Sequence, residues 1–174
     1  ATRTSKIQTN RHVALLLTLL IALGTALPGA QSQRAPGAPI VILVSIDGWR
    51  HDYLDRFKPP ALSALAARGV RSEGLIPSFP TKTFPNHYTI VTGLYPQNHG
   101  IVANTMDDPS IGQRFTMSAE TARDARWWQG EPLWVTAEAQ GVVSASMFWP
   151  GSEVAVKAVR PSYWKPYQDD YPIR

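Results

Sequence analysis

Two side chains raise the first chemical question: Asp47 in Ser45-Ile46-Asp47-Gly48, and Thr83 in Pro80-Thr81-Lys82-Thr83-Phe84-Pro85-Asn86-His87-Tyr88. The apolar run leading into Asp47 reads as a strand. A strand that ends in Asp-Gly presents a carboxylate at the carboxyl edge of a parallel sheet, where open α/β folds bind ligands. Thr83 stands at a helix mouth. Pro85 lies just inside the start, and Tyr88, Ile90 and Val91 continue it as apolar positions. Thr83 therefore reads as the N-cap, its hydroxyl among unpaired backbone N–H groups. Free N–H donors and the helix dipole suit an anion there, and the same field stabilises an alkoxide. Taken locally, both residues also have ordinary readings, a capping threonine and an Asp-Gly turn.

The elements that must position this pair follow from pattern. Pro39 to Ile46 is a short continuous apolar run, read as a strand buried on both faces of a parallel sheet. After Pro59-Pro60, the residues Leu62, Leu65 and Ala66 repeat at helical spacing, and Arg68-Gly69 marks a stop. Val70 to Ile76 reads as a return to the sheet. The Thr83 helix ends before Gly93, because Tyr95-Pro96 and His99-Gly100 are turn material. Asp107 to Trp128 reads as mostly polar loop. Glu131-Pro132-Leu133-Trp134 opens a helix that reaches about Gln140, and Gly141 to Phe148 reads as a second buried strand. Alternating strands and helices make the class α/β with a parallel sheet.

The first thirty residues are of another kind. Arg3, Lys6 and Arg11 form a positive n-region, Val13 to Leu23 is an apolar core, and Leu27-Pro28-Gly29-Ala30 is a stretch of mostly small residues suited to signal peptidase. Residues 1–30 thus read as a secretory signal peptide. A spanning anchor needs about twenty apolar residues, and Pro28-Gly29 cuts the run short. Residues 31–38 read as a polar, flexible spacer. The chain has no cysteine, which excludes a disulfide and a lipid-modified N-terminus, so the expected location is the periplasm or the medium. Three of the seventeen basic residues lie in the leader, so fourteen face thirteen acidic ones after it. That balance gives no electrostatic footprint for nucleic acid or a membrane surface.

Several strings then carry a resemblance: Val44-Ser45-Ile46-Asp47-Gly48-Trp49-Arg50, Thr81 to Tyr88, Val91-Thr92-Gly93-Leu94-Tyr95-Pro96, His99-Gly100-Ile101-Val102-Ala103-Asn104, and Phe148-Trp149-Pro150-Gly151-Ser152-Glu153. In order and spacing they resemble the nucleotide pyrophosphatase/phosphodiesterase family of the alkaline phosphatase superfamily. The resemblance runs from Pro39 to the C-terminus and implies the N-terminal portion of a bacterial member. The implied fold is an alkaline phosphatase-like parallel-sheet sandwich with helices on both faces, incomplete in this chain, with residues 39–174 as the first part of the catalytic domain.

The implied chemistry is metal-dependent hydrolysis of nucleotide phosphodiesters or pyrophosphates to nucleoside 5′-monophosphates through a phospho-threonine. By resemblance, Thr83 is the nucleophile, Asp47 and Thr83 ligate one of two zinc ions, and the Asn104 amide donates to a phosphoryl oxygen. Phe84 and Tyr167 grip the base, although core packing is the ordinary reading of any aromatic. The remaining metal ligands, Asp and His, are expected downstream of Arg174. His51, His87 and His99 lack the short paired spacing of local metal motifs. For His87 and His99 structural hydrogen bonding is the better reading, and none of the three is assigned to metal. The expected partner is a small nucleotide, with no specific nucleic acid and no membrane anchor after signal cleavage. Two rival readings share the scaffold: a phosphomonoesterase or lipid-head-group (choline) phosphodiesterase, and a non-catalytic truncated fragment.

Overall fold

The computed structural model describes Gly37 and residues 39–117 and 120–172. The signal peptide read over 1–30 and, apart from Gly37, the spacer read over 31–38 lie outside the described residues.

Proline and glycine punctuate the helices. Helix α1 is the short Tyr53–Phe57, followed by α2, Pro60–Arg68, with Pro60 in its first turn. Proline has no N–H to waste there, and its fixed φ suits the first turn. Helix α3, Thr83–Thr92, ends where the Gly93 N–H returns to the Thr89 carbonyl, the stop expected from sequence. Helix α4 is a single turn, Pro96–His99, and α5 is Leu133–Ala139. No helix among the described residues is long and apolar enough to cross a membrane.

Among the described residues four short strands pair in two separate sheets. Strands β1, Thr105–Asp108, and β2, Gln113–Thr116, form an antiparallel hairpin with Asp108 opposite Gln113. The Asp108 carboxylate accepts from the Ser110 N–H and hydroxyl and fixes the turn. Strands β3, Ala145–Met147, and β4, Tyr163–Lys165, run parallel, with Ala145 opposite Tyr163. Glu138, at the end of α5, clamps this pair: its carboxylate accepts from the N–H and hydroxyl of both Ser144 and Ser162. Partial burial raises the Glu138 pKa, but the four donors outweigh it and hold the carboxyl down at about 2.

Helices with a parallel pair keep the α/β class, but the strand readings need correction. The run 39–46 is not a buried strand: it makes no ladder with another strand among the described residues, and Ile40 and Val41 are 73% and 88% exposed. Apolar composition supplies the wish for burial; a parallel strand obtains it only from neighbours on both sides and covering helices. Val70 to Ile76 likewise joins no sheet and is held beside α1 by the Arg71 fork on Asp55. Within 141–148 only 145–147 is strand, and Val142, Val143 and Met147 are exposed.

Part of the core comes instead from 107–128, read from sequence as mostly polar loop. Phe115, Trp127 and Trp128 are buried there against Tyr88 and Val91 of α3, with Ile101, Val154 and Val156. Trp128 meets Tyr88 edge-to-face at 4.9 Å between centroids and Phe115 at 5.8 Å. Such contacts are worth about 0.5–1.5 kcal/mol each beyond burial. The Trp128 indole N–H donates to the Ala122 carbonyl at 2.6 Å, so the polar edge is satisfied. Gly151 is required beneath it: its φ is +86°, and a Cβ would stand 2.6 Å from the Trp128 ring. The scaffold under Thr83 is thus an aromatic cluster.

Candidate active site

Thr83 is the first residue of α3, not its cap. Lys82 holds the cap position in extended backbone (φ −125°, ψ 157°) and makes no side-chain cap bond. Pro85 is the reason. A capping threonine bonds the N–H two or three residues on; here Pro85 has none, and the Asn86 N–H is committed to the Lys82 carbonyl at 3.1 Å. The Thr83 hydroxyl therefore turns outward and donates to Asp47 Oδ2 at 2.9 Å, across 36 residues of chain.

Asp47 is delivered to that point by a tight turn. Gly48 adopts φ +70°, and the Trp49 N–H returns to the Ile46 carbonyl at 3.2 Å. The carboxylate stands exposed beside a half-buried Thr83. From the other side comes Asn104, whose Oδ1 accepts the Phe84 N–H at 3.0 Å. A backbone N–H can only donate, so this bond fixes the amide orientation and leaves the Asn104 NH₂ as a donor beside the first turn of the helix. A hydroxyl, a carboxylate and an amide NH₂ thus surround one helix end: the hydroxyl can attack, the NH₂ can donate to an anionic oxygen, and the carboxylate can hold a cation.

Behind this front the histidines are engaged in hydrogen bonds. His87 Nδ1 lies 2.7 Å from the Thr83 carbonyl and its Nε2 2.9 Å from Ser45 Oγ. The Trp149 indole N–H donates to the His87 carbonyl at 3.1 Å. His99 Nδ1 accepts the Ile101 N–H at 3.2 Å, so its Nε2 carries the proton and donates to Thr89 Oγ1 at 3.0 Å. Burial disfavours a charged ring there and lowers the His99 pKa to about 4. Asn86 secures the approach to the helix: its Oδ1 accepts the Ser78 N–H, and its NH₂ donates to the Pro80 and Lys82 carbonyls.

The two aromatic candidates stand on different supports. Phe84 is half-buried, stacked edge-on against Phe115 at 5.7 Å, and so belongs to the core as well as to the rim of the site. Tyr167 is 70% exposed; its hydroxyl donates to Asp169 at 2.7 Å, and its ring meets Phe148 edge-on at 5.6 Å. Phe148 holds φ at +63°, a left-handed conformation that costs a bulky residue about 1–3 kcal/mol. Its N–H on the Lys165 carbonyl at 2.8 Å and its ring contacts to Tyr167 and Tyr171 keep it there. Among the described residues Tyr167 makes no hydrogen bond or ring contact with the Asp47, Thr83, Phe84 and Asn104 group.

Residues 41–174 match the model of the family type I phosphodiesterase / nucleotide pyrophosphatase. The chain belongs to this family. It is 52% identical over 136 residues to an uncharacterised pyrophosphatase/phosphodiesterase of Schizosaccharomyces pombe, covering 77% of this chain and 28% of that protein. It is 48% identical over 131 residues to ectonucleotide pyrophosphatase/phosphodiesterase family member 3 of Bos taurus, covering 74% of this chain and 15% of that one. Among solved structures it is similar to murine ectonucleotide pyrophosphatase/phosphodiesterase 5, an inactive threonine-to-alanine form in complex with AMP. There the TM-score is 0.70 at 37% identity, over 74% of this chain and 34% of that one. The chain thus spans less than a third of the length of the curated relatives described. The α/β class and the alkaline phosphatase superfamily stand with the type I phosphodiesterase family.

Whether the site suits the zinc expected of such a phosphodiesterase can be tested on its donors. Asp47 and Thr83 offer two hard oxygens within 2.9 Å on an accessible surface, which fits one edge of a cation site. No cluster of three or more His, Cys, Asp or Glu among the described residues closes a coordination shell. The pair fits part of a metal site and would need further ligands. Sequence reasoning missed the supporting residues Ser45, Ser78 and Trp149. Ser45 stands two residues before Asp47 and, like Trp149, lies in a string that carries the resemblance; those were the signals available.

Proposed function

We propose that the protein hydrolyses nucleotide phosphodiesters and pyrophosphates to nucleoside 5′-monophosphates, with Thr83 as nucleophile. The observation that carries this reading is the 2.9 Å contact between Thr83 Oγ1 and Asp47 Oδ2 beside an Asn104 held by the next backbone N–H. Support also comes from the relatives: one is inactive as a threonine-to-alanine form and is found with AMP. Thr83 Oγ1 bonds to phosphorus as the bond to the leaving alcohol or phosphate breaks, and the hydroxyl proton departs toward solvent or the leaving group. Water then cleaves the threonine ester, returning the hydroxyl and releasing the nucleoside 5′-monophosphate. The Asn104 NH₂ faces a non-bridging oxygen, whose charge rises in the transition state. Bound zinc, of which Asp47 and Thr83 would hold one of two ions, would favour the alkoxide and offset phosphoryl charge. Phe84 and Tyr167 would cover the two faces of the base, a sequence-tolerant contact worth about 1–3 kcal/mol. The leader read over 1–30 supports a location outside the cytoplasm, in the periplasm or the medium.

The test uses the product of the complete reading frame that carries this segment. It should turn over bis-(4-nitrophenyl) phosphate in preference to 4-nitrophenyl phosphate and to a choline phosphodiester. Acid quench should trap an ester on Thr83, located by peptide mass. Preference for the monoester or the choline diester, or turnover with no Thr83 ester, would overturn the proposal.

A further inference from the structure

We propose that His87 is a positioning residue for the nucleophile, the buckle that sets the separation of Thr83 from Asp47. The inference rests on the reading of Thr83 given above. Four side chains close a ring across two segments distant in sequence. Thr83 Oγ1 donates to Asp47 Oδ2 at 2.9 Å, and two residues before Asp47 the Ser45 hydroxyl meets His87 Nε2, also at 2.9 Å. His87 Nδ1 then returns to the backbone carbonyl of Thr83 itself at 2.7 Å. The Thr83 carbonyl can only accept, so Nδ1 donates to it, and in a neutral ring Nε2 then accepts from the Ser45 hydroxyl.

The ring matters because, among the described residues, the hydrogen bonds of Ser45 and Asp47 are the ones that join the segment 39–48 to α3. The imidazole is immobilised. His87 is 9% exposed, its ring lies edge-on to Trp149 at 5.4 Å, and its carbonyl is held by the Trp149 indole N–H. The imidazole thus reaches from the helix to the segment that carries Asp47 and bonds it two residues from the carboxylate. Loosening that link lets the hydroxyl and Asp47 drift, and a displacement of about 1 Å costs up to about a hundredfold in rate.

The experiment measures, on the product of the complete reading frame, the first-turnover rate of Thr83 esterification by bis-(4-nitrophenyl) phosphate and the later hydrolysis of that ester. Ser45→Ala removes the link at an exposed position, and His87→Asn keeps a donor near the Thr83 carbonyl while losing the reach to Ser45. Each should slow esterification about ten- to a hundredfold with KM and ester hydrolysis changed less than about twofold. The double variant should be no slower than the slower single one, because both break one link. A purely structural role would slow both steps together, and that result overturns the proposal, as does an esterification rate within about threefold of wild type. Should His87→Asn fail to fold, Ser45→Ala decides. A wild-type protein that forms no Thr83 ester refutes the nucleophile and the buckle together, whereas an ester with unaffected variants refutes the buckle alone.

Discussion

The two ends of the Asn104 amide have opposite chemistry, and a pair of substitutions separates them. Its Oδ1 accepts the Phe84 N–H at 3.0 Å, and in the proposed reaction its NH₂ would face a substrate oxygen. Asn104→Ala removes both. Losing the acceptor leaves a backbone donor at the helix start without its partner, a loss of about 0.5–1.5 kcal/mol in stability. Losing the donor removes one hydrogen bond to the charge that develops on phosphorus oxygens, which costs about 2.7–4 kcal/mol, or about a hundred- to a thousandfold in kcat. Asn104→Asp keeps the acceptor and deletes the donor. Its charge near the first turn of α3 favours the helix by about 0.3–1 kcal/mol, so the fold should be at least as stable as wild type. The same charge repels a phosphoryl group, so kcat should fall at least as far as in Asn104→Ala. Melting temperature and steady-state kinetics on bis-(4-nitrophenyl) phosphate read the two effects separately. An Asn104→Asp enzyme that keeps more than about a third of wild-type kcat would refute the assignment of the NH₂ as a phosphoryl donor.

Thr83→Ala should abolish turnover while leaving the fold and much of the metal in place, and Thr83→Ser should retain part of it; near wild-type turnover by the alanine form would point to an attacking water instead. Tyr167→Ala should weaken a nucleoside monophosphate by about tenfold and leave bis-(4-nitrophenyl) phosphate hydrolysis nearly unchanged, and equal damage to both would make Tyr167 a packing residue. The 174-residue chain on its own should bind no stoichiometric zinc pair and show no diesterase activity, because Asp47 and Thr83 cannot fill two coordination shells; elemental analysis finding two zincs per chain, with turnover, would contradict this. The buried His99 ring, its pKa lowered from 6.5 to about 4, should make local stability depend on pH. The unfolded state binds the extra proton between those values, so the contribution, about 3 kcal/mol at about 1.4 kcal/mol per pH unit, is complete above pH 6.5 and is lost as pH falls toward 4. Ile101 donates its N–H to that ring, so its amide protection, corrected for intrinsic exchange, should fall over the same range; a flat profile would show that His99 is not the controlling group.

What sequence reasoning could reach here was set by how local each cause is. The ends of α3 were legible: Pro85 and Gly93 act through their own backbone, and the helix does stop before Gly93. Yet the same Pro85 that signalled a helix start also removed the N–H that a capping Thr83 would have used, so the right element came with the wrong cap. Burial was the least legible property. The aliphatic run at 39–46 was expected inside and is exposed, whereas Phe115, Trp127 and Trp128 sit among polar residues in sequence and belong to the core. Hydropathy reports what a residue would gain from burial, not whether a partner surface is there to supply it. The resemblance named Asp47, Thr83, Phe84, Asn104 and Tyr167, and the first-turn geometry of α3 ties the first four together and leaves Tyr167 apart. The histidine behind them lies in the same Thr81 to Tyr88 string and was read only as a structural hydrogen-bonding residue, with no partner named. His87 is four residues from Thr83 on a helix, which places it one turn above the Thr83 carbonyl, and Ser45 is two residues from Asp47. Read jointly, those two offsets put the imidazole between the segments that carry the nucleophile and the carboxylate, so support for an active site is best sought at helical and extended offsets from the reactive pair.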